Sequence, residues 1–365
     1  MTIKAVTPRV LEQPESLGLG VSVYPSATAM VWPGEGHAHE ADARTVRDQR
    51  SASAPLVIGH EQVGRVVALG RGGAKTTDGR RVSLGERVVW SVAMPCGRCR
   101  RCRRGIPQKC VSLQKYGHAR MRRGWELSGG FATHTHILEG TALVAVPDDL
   151  PAAVLAPASC STATVAAALD AAAADVALDG ALVLIAGAGT LGLAEAAMAT
   201  AAGARVFVSD PDPKRREAAL AFGAAAVADP GVSAEGRGGS LAAFAKAGRR
   251  GAAPTVALEF TGAPSALRSL FGVLDVGGIL VLVGSVGPAG PSAERLALPE
   301  QLARRLLTVR GVHDYAPHHL EQAVRFLAGE GRSYPFEQLV GAVFPLAEVD
   351  AVLACSEHPR VAVRP

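Results

Sequence analysis

Apolar and polar positions along this chain fall into two textures. From Ala181 the pattern is strand, helix, strand. An apolar run, Ala181 to Ala186, enters a glycine cluster, an Ala-rich helical stretch follows, and a second apolar run spans Arg205 to Ser209. Further on, Glu217 to Phe222 predicts a helix. Ala225 to Val227, Val256 to Gly262 and Gly277 to Gly284 predict strands, and Gly- and Ala-rich residues 230–254 predict loop plus helix. Strands alternating with helices across short glycine turns predict a parallel, doubly wound sheet. Ahead of this region the pattern is β-rich, with strand-like runs in Val21 to Trp32, Ala54 to Gly70, Leu84 to Val92 and Val144 to Pro147. After about Pro299 the texture changes again. The helical stretch Leu320 to Ala328 and the strand-like Arg360 to Arg364 look like a return to the first region. The expected organisation is a β-rich domain over 1–150, an α/β domain over 151–299, and a segment over 300–365 that rejoins the first.

At 365 residues the length suits about two domains with ample core. The net charge of +5 is mild. Of the 38 basic residues only Lys4, Lys75, Lys109, Lys115, Lys214 and Lys246 are lysine. That bias reads as GC-rich coding, not as a nucleic-acid footprint. Met1 to Leu11 lacks the apolar core of a secretory signal. Residues 163–204 are apolar, but Asp170, Asp175, Asp179 and Glu195 interrupt them, so no membrane span is expected. Six cysteines, four of them crowded together, point to metal in a reducing compartment, and the expected location is cytoplasmic.

The glycine cluster is Gly187-x-Gly189-x-x-Gly192, set between strand and helix, with Asp210 ending the next strand. This is the dinucleotide fingerprint in its required setting. Gly187 permits a tight turn, Gly189 lets backbone approach a pyrophosphate at the helix N-terminus, and Gly192 lets helix pack on strand. Asp210 can accept hydrogen bonds from a ribose hydroxyl and would repel a 2′-phosphate, which favours NAD over NADP. The blander reading is a glycine-rich turn in an Ala-rich α/β protein.

Cys96, Cys99, Cys102 and Cys110 fall within fifteen residues. Four thiols so spaced can wrap one tetrahedral zinc with no open position, which makes its role structural. The surrounding Arg98, Arg100, Arg101, Arg103 and Arg104 would offset thiolate charge on a solvated face. Gly59-His60-Glu61, between two strand-like runs, is a second metal-site candidate. Cys160, near the start of a helical run, is either an apolar filler or part of that site. The polar stretch Pro33 to Thr45 holds His37, His39, Glu40 and Asp42, and its plain reading is a solvated loop.

Together these residues resemble the zinc-dependent medium-chain alcohol dehydrogenases over nearly the whole chain. GHE at 59–61, GERV at 85–88, the cysteine quartet, GAGTLG at 187–192 and FTGAP at 260–264 match in order and approximate spacing. The resemblance implies a GroES-like catalytic domain, a Rossmann domain and a C-terminal segment that completes the first. LQKYGH at 113–118 and GVHDYAPHHL at 311–320 resemble a subgroup linked with phosphonate metabolism and, more weakly, cyclitol dehydrogenases. Carried over, the cysteine quartet matches the structural zinc ligands. His60 and Cys160 match two catalytic zinc ligands, with Glu61 beside the metal. Thr164 and Leu191 match positions flanking the nicotinamide, within a cofactor set that also includes Gly187, Gly189, Thr190, Gly192 and Asp210. Arg215 matches a basic position near the adenosine ribose, and Arg360 one near the pyrophosphate. The implied assembly is a homodimer or homotetramer.

One departure bears on the chemistry. The family's first catalytic ligand is a cysteine about twenty-one residues before the GHE histidine, and no cysteine precedes Cys96. His39 stands at that distance, followed by Ala41 where a hydroxyl residue begins the family's proton relay, and by Asp42. A His39, His60 and Cys160 set, with Glu61 or water, is sound zinc chemistry. Three functions follow for weighing. The first is alcohol–carbonyl interconversion on a small polar or anionic substrate, with Lys115, Tyr116, His118 and His313 as candidate contacts. The second is reduction of a conjugated C=C or imine bond with the catalytic zinc altered or absent. The third is cofactor binding without turnover.

Overall fold

The computed structural model describes residues 27–38, 55–231, 253–284, 299–354 and 360–364. They divide into two compact units: residues 1–163 with 316–328 and 336–365, and residues 164–315 with 329–335. The expectations for 230–254 and for His39 to Asp42 fall almost wholly outside the described residues.

The first unit is built on a seven-stranded sheet. Its main path runs Ala342–Pro345, Val361–Arg364, Ala27–Ala38, Glu61–Leu69, Arg87–Trp90, Leu143–Ala145, with Thr135–Leu138 also pairing Ala27–Ala38. All pairings are antiparallel except that of the two C-terminal strands. The first strand is longer at its C-terminal end than the sequence suggested. It continues through Pro33 and Gly34 to Ala38, where a solvated loop was expected, with a register shift at Pro33 accommodating the lost donor. The core below this sheet gathers Val66, Val88, Trp90, Tyr116, Trp125, Ile137 and Leu143. The C-terminal strands bury Val361 and Val363 against Ile58 and Phe131. In this way the end of the chain closes over the segment leading to His60.

The second unit holds six parallel strands in the order Ala226–Ala228, Arg205–Ser209, Leu182–Ala186, Val256–Glu259, Ile279–Leu282, Thr308–Gly311. In chain order this is 3-2-1-4-5-6, the doubly wound arrangement whose order reverses between Leu182–Ala186 and Val256–Glu259. The last strand, Thr308–Gly311, lies beyond the expected boundary at residue 299. Pairing with Ile279–Leu282 decides its place. Among the described residues no single helix is long and apolar enough to cross a membrane.

Candidate metal and coenzyme sites

The glycine fingerprint of the second unit is explained atom by atom. Gly187 has φ +99°, and a Cβ there would lie 2.9 Å from Thr261 Cγ2, so the ends of two neighbouring strands meet at this turn. A Cβ on Gly192 would stand 1.8 Å from the Gly187 carbonyl oxygen, which no side chain tolerates. Gly189, just before the helix Thr190–Ala201, faces open space instead. A tight turn, a close helix approach and a bare N-terminus form a cradle that fits a pyrophosphate. Thr190 and Leu191 occupy the first turn of that helix, both half-buried. Asp210 is buried at the sheet's C-terminal edge, where its carboxylate accepts from Ala188 N at 2.7 Å and from Asp212 N at 2.9 Å. Asp212 caps the helix Pro213–Ala221 through Lys214 N and Arg215 N, which leaves the Arg215 side chain exposed. Arg216, absent from the sequence-based set, bonds the Asp210 carbonyl and the Asp229 carboxylate. Thr164 lies on the helix Ser161–Ala173 and is half-buried.

In the first unit, the four quartet thiols have sulfurs that all lie within 4.8 Å of one another. Cys99 Sγ is 3.5 Å from Cys102 Sγ and 3.9 Å from Cys110 Sγ. Tetrahedral geometry with Zn–S bonds of about 2.3 Å separates sulfurs by about 3.8 Å, so the donor set fits zinc. Backbone amides of Arg98 and Cys99 lower the Cys96 thiol to about 6. Cys99 is lowered as well, chiefly by the Cys102 and Val111 amides. Cys102 is pushed up, mainly by burial, with the neighbouring thiols adding to the shift. A cation among the four would favour every thiolate together. The lobe is local: the short helix Arg100–Arg103 and the turn Pro107–Lys109 present the sulfurs without help from distant chain.

The second cluster is assembled from far apart. His60 sits just before the strand Glu61–Leu69, and Cys160 just before the helix Ser161–Ala173. Ser159 Oγ donates to the His60 carbonyl at 3.1 Å, tying the two segments together. The His60 imidazole lies within hydrogen-bonding reach of the Cys160 thiol. Burial pushes that thiol up and the Glu61 charge adds to the shift, while His60 and Arg360 offset it only in part. Glu61 is fully buried. Its Oε2 accepts from Arg360 Nη1, and its Oε1 has no hydrogen-bond partner among the described residues. Arg360 also donates to Ser161 Oγ at 3.1 Å. A histidine, a thiol and an orphaned buried carboxylate oxygen are donor types that zinc takes, but their ligand atoms do not all lie within 4.8 Å of one another as the quartet sulfurs do. His39 lies outside the described residues. The strand leading to it ends at Ala38, opposite Val361, with His37 opposite Glu61.

The other sequence candidates separate. Tyr116 is a correction: it is fully buried, its hydroxyl bonds Thr141 Oγ1 at 2.9 Å and accepts from Leu138 N, and it cannot face a substrate. Lys115 pairs in a two-stranded ladder, and His313 lies against Asp314. His118 does approach the site, with its ring centroid 4.6 Å from that of His60.

Two family models match: an alcohol dehydrogenase GroES-like domain over residues 37–148 and a zinc-binding dehydrogenase over 190–329. Geraniol dehydrogenase of Castellaniella defragrans is 31% identical, over 80% of this chain and 79% of its own. The chain belongs to the zinc-dependent medium-chain alcohol dehydrogenase family. It is therefore an NAD(P)-dependent oxidoreductase of the alcohol dehydrogenase family, acting on a small molecule. L-Threonine 3-dehydrogenase of Streptomyces avermitilis is 31% identical over 73% of this chain and 69% of its own. An alcohol dehydrogenase from Thermotoga maritima superposes with a TM-score of 0.85 at 26% identity, covering 93% of each chain. The expected GroES-like and Rossmann folds are both present. Membership in a family of dehydrogenases sets aside cofactor binding without turnover.

Proposed function

We propose that this dehydrogenase interconverts an alcohol and a ketone or aldehyde on a small polar substrate of phosphonate or cyclitol/polyol type, with NAD as coenzyme. The observation that carries the reading is the contact of His60 with Cys160 beside the orphaned oxygen of Glu61. Held by His60 and Cys160, with His39 as third ligand, zinc would supply the Lewis acid that polarises the substrate oxygen. The nicotinamide supplies or accepts the hydride. His60 and Cys160 would hold the metal, and Arg360 fixes Glu61 through one carboxylate oxygen, which leaves the other without a hydrogen-bond partner among the described residues. The buried Asp210 carboxylate supports NAD, because a 2′-phosphate would meet its charge. The phosphonate or cyclitol assignment rests on LQKYGH and GVHDYAPHHL, and threonine dehydrogenation by a relative is compatible with a polar-substituted alcohol. A homodimer or homotetramer in the cytoplasm remains the expected setting. Exposed Leu306 and Val309 at the edge strand Thr308–Gly311 support self-association.

Metal analysis of the wild type beside His39→Ala and Cys160→Ala tests this reading, followed by NADH assays with phosphonate aldehydes and cyclic polyol ketones. Two zinc per chain, one lost in each variant, is expected. A His39→Ala protein with full metal and full rate removes His39 from the site. Ala41 in place of the relay hydroxyl keeps a second reading in view, reduction of a C=C or imine bond. One zinc per chain and turnover of enones alone would favour it.

A further inference from the structure

Two Gly-His pairs, 58 residues apart in sequence, cross in the first unit. Gly59 has φ +92° and Gly117 has φ +75°. A Cβ on Gly117 would lie 2.6 Å from the Gly59 oxygen and 3.0 Å from His60 Cβ, so the backbones touch at glycine. A third segment locks the crossing: Gly130 N donates to Gly59 O at 2.8 Å, and Gly117 N donates to Ser128 O at 2.9 Å. The crossing delivers the His118 ring against the His60 ring, with centroids 4.6 Å apart and planes tilted by 42°.

We propose that His118 is a positioning residue for His60, holding the imidazole in the orientation that presents its nitrogen to the catalytic zinc. Backbone pinning alone cannot do this, because the terminal torsion of histidine is broad and two-fold. A flat neighbour at aromatic contact distance restricts it. His118 acts through His60 and not as a ligand. Nor do the other polar groups on this segment compete for the role: Tyr116 is tied to Thr141, and Lys115 stands in its own ladder. The assignment rests on the metal reading proposed above. It also gives the YGH stretch a task, namely to bring a second ring to the first.

The test is zinc occupancy under graded chelator competition, with Cys160→Ser as the control that empties the site. His118→Ala should weaken the second zinc roughly 10-fold or more, the range seen when supporting contacts of a metal-bound histidine are removed. His118→Phe, which keeps a flat ring without a donor, should restore near-wild-type affinity and the visible spectrum of the cobalt-substituted site. Retention of the structural zinc reports that each variant is folded, and if His118→Ala does not fold, His118→Phe decides alone. His118→Ala with wild-type affinity overturns the assignment, as does any result in which Phe fails to restore binding. If His118→Cys rescues where Phe does not, the residue is a ligand instead. A wild type with one zinc that Cys160→Ser leaves in place overturns the metal reading itself and this assignment with it.

Discussion

Glu195 is the most exposed weakness in the coenzyme-binding unit, and it makes a quantitative prediction. It lies on the helix Thr190–Ala201, three residues after the tightly packed Gly192, and is completely buried. Neither carboxylate oxygen has a hydrogen-bond partner among the described residues. Burial, the sole cause acting on it, pushes its pKa well above the usual carboxylate range. The folded protein therefore binds this proton more tightly than the unfolded chain does. The stability linked to that proton is fully present below the unfolded value of about 4.3 and is lost as pH rises through the folded value. Within that window the loss is about 1.4 kcal/mol per pH unit. For a unit of this size each pH unit corresponds to roughly 3–6 °C in Tm. Glu195→Gln removes the titration but keeps a buried polar group, so its stability should vary less with pH. Glu195→Leu removes both the titration and the unmet hydrogen-bonding capacity, whose cost is about 1–3 kcal/mol. It should be the most stable of the three at pH 7.5. Scanning calorimetry of all three proteins across that window measures the difference in slope. A Glu195→Gln variant that loses stability with pH as steeply as the wild type would refute the reasoning.

Gly192→Ala should abolish coenzyme binding in an NADH fluorescence titration and lower Tm, because its methyl would meet the Gly187 oxygen at 1.8 Å. Gly189→Ala, whose Cβ meets nothing, should keep the fold and weaken the coenzyme alone. Arg360→Met leaves Glu61 buried without its partner, a loss of about 3–5 kcal/mol by denaturant unfolding. Adding Glu61→Gln to that variant should recover part of the loss. Equal stability of the single and double variants would show that the pair carries no coupling.

The glycine turn and the convergence of the quartet sulfurs were legible because each is local. Gly187, Gly189 and Gly192 span one turn, and four sulfurs within fifteen residues need only a short helix and a turn to converge. Strand and helix periodicity placed Arg205–Ser209 and the neighbourhoods of Leu182–Ala186, Ile279–Leu282 and Val361–Arg364 for the same reason. His118 was one of several polar candidates, and no local signal singled it out, since Gly-His occurs at 36–37 as well as at 59–60 and 117–118. Tyr116, its neighbour, was read as a possible substrate contact because nothing local reveals that Thr141 takes its hydroxyl.

By itself, then, the chain's order of residues determined which short segments turn, which coil and where four thiols converge, since these depend on contacts within a few residues. Long-range closure decided the rest. Glu61 meets Arg360 only because the C-terminal strand returns to pair with Ala27–Ala38. Cys160 meets His60 because Ser159 ties the two segments together, and His118 meets His60 because two glycines let backbones touch. Each of these pairings joins residues whose separation along the chain carries no trace of their distance in space. Burial of one shared core brings them together.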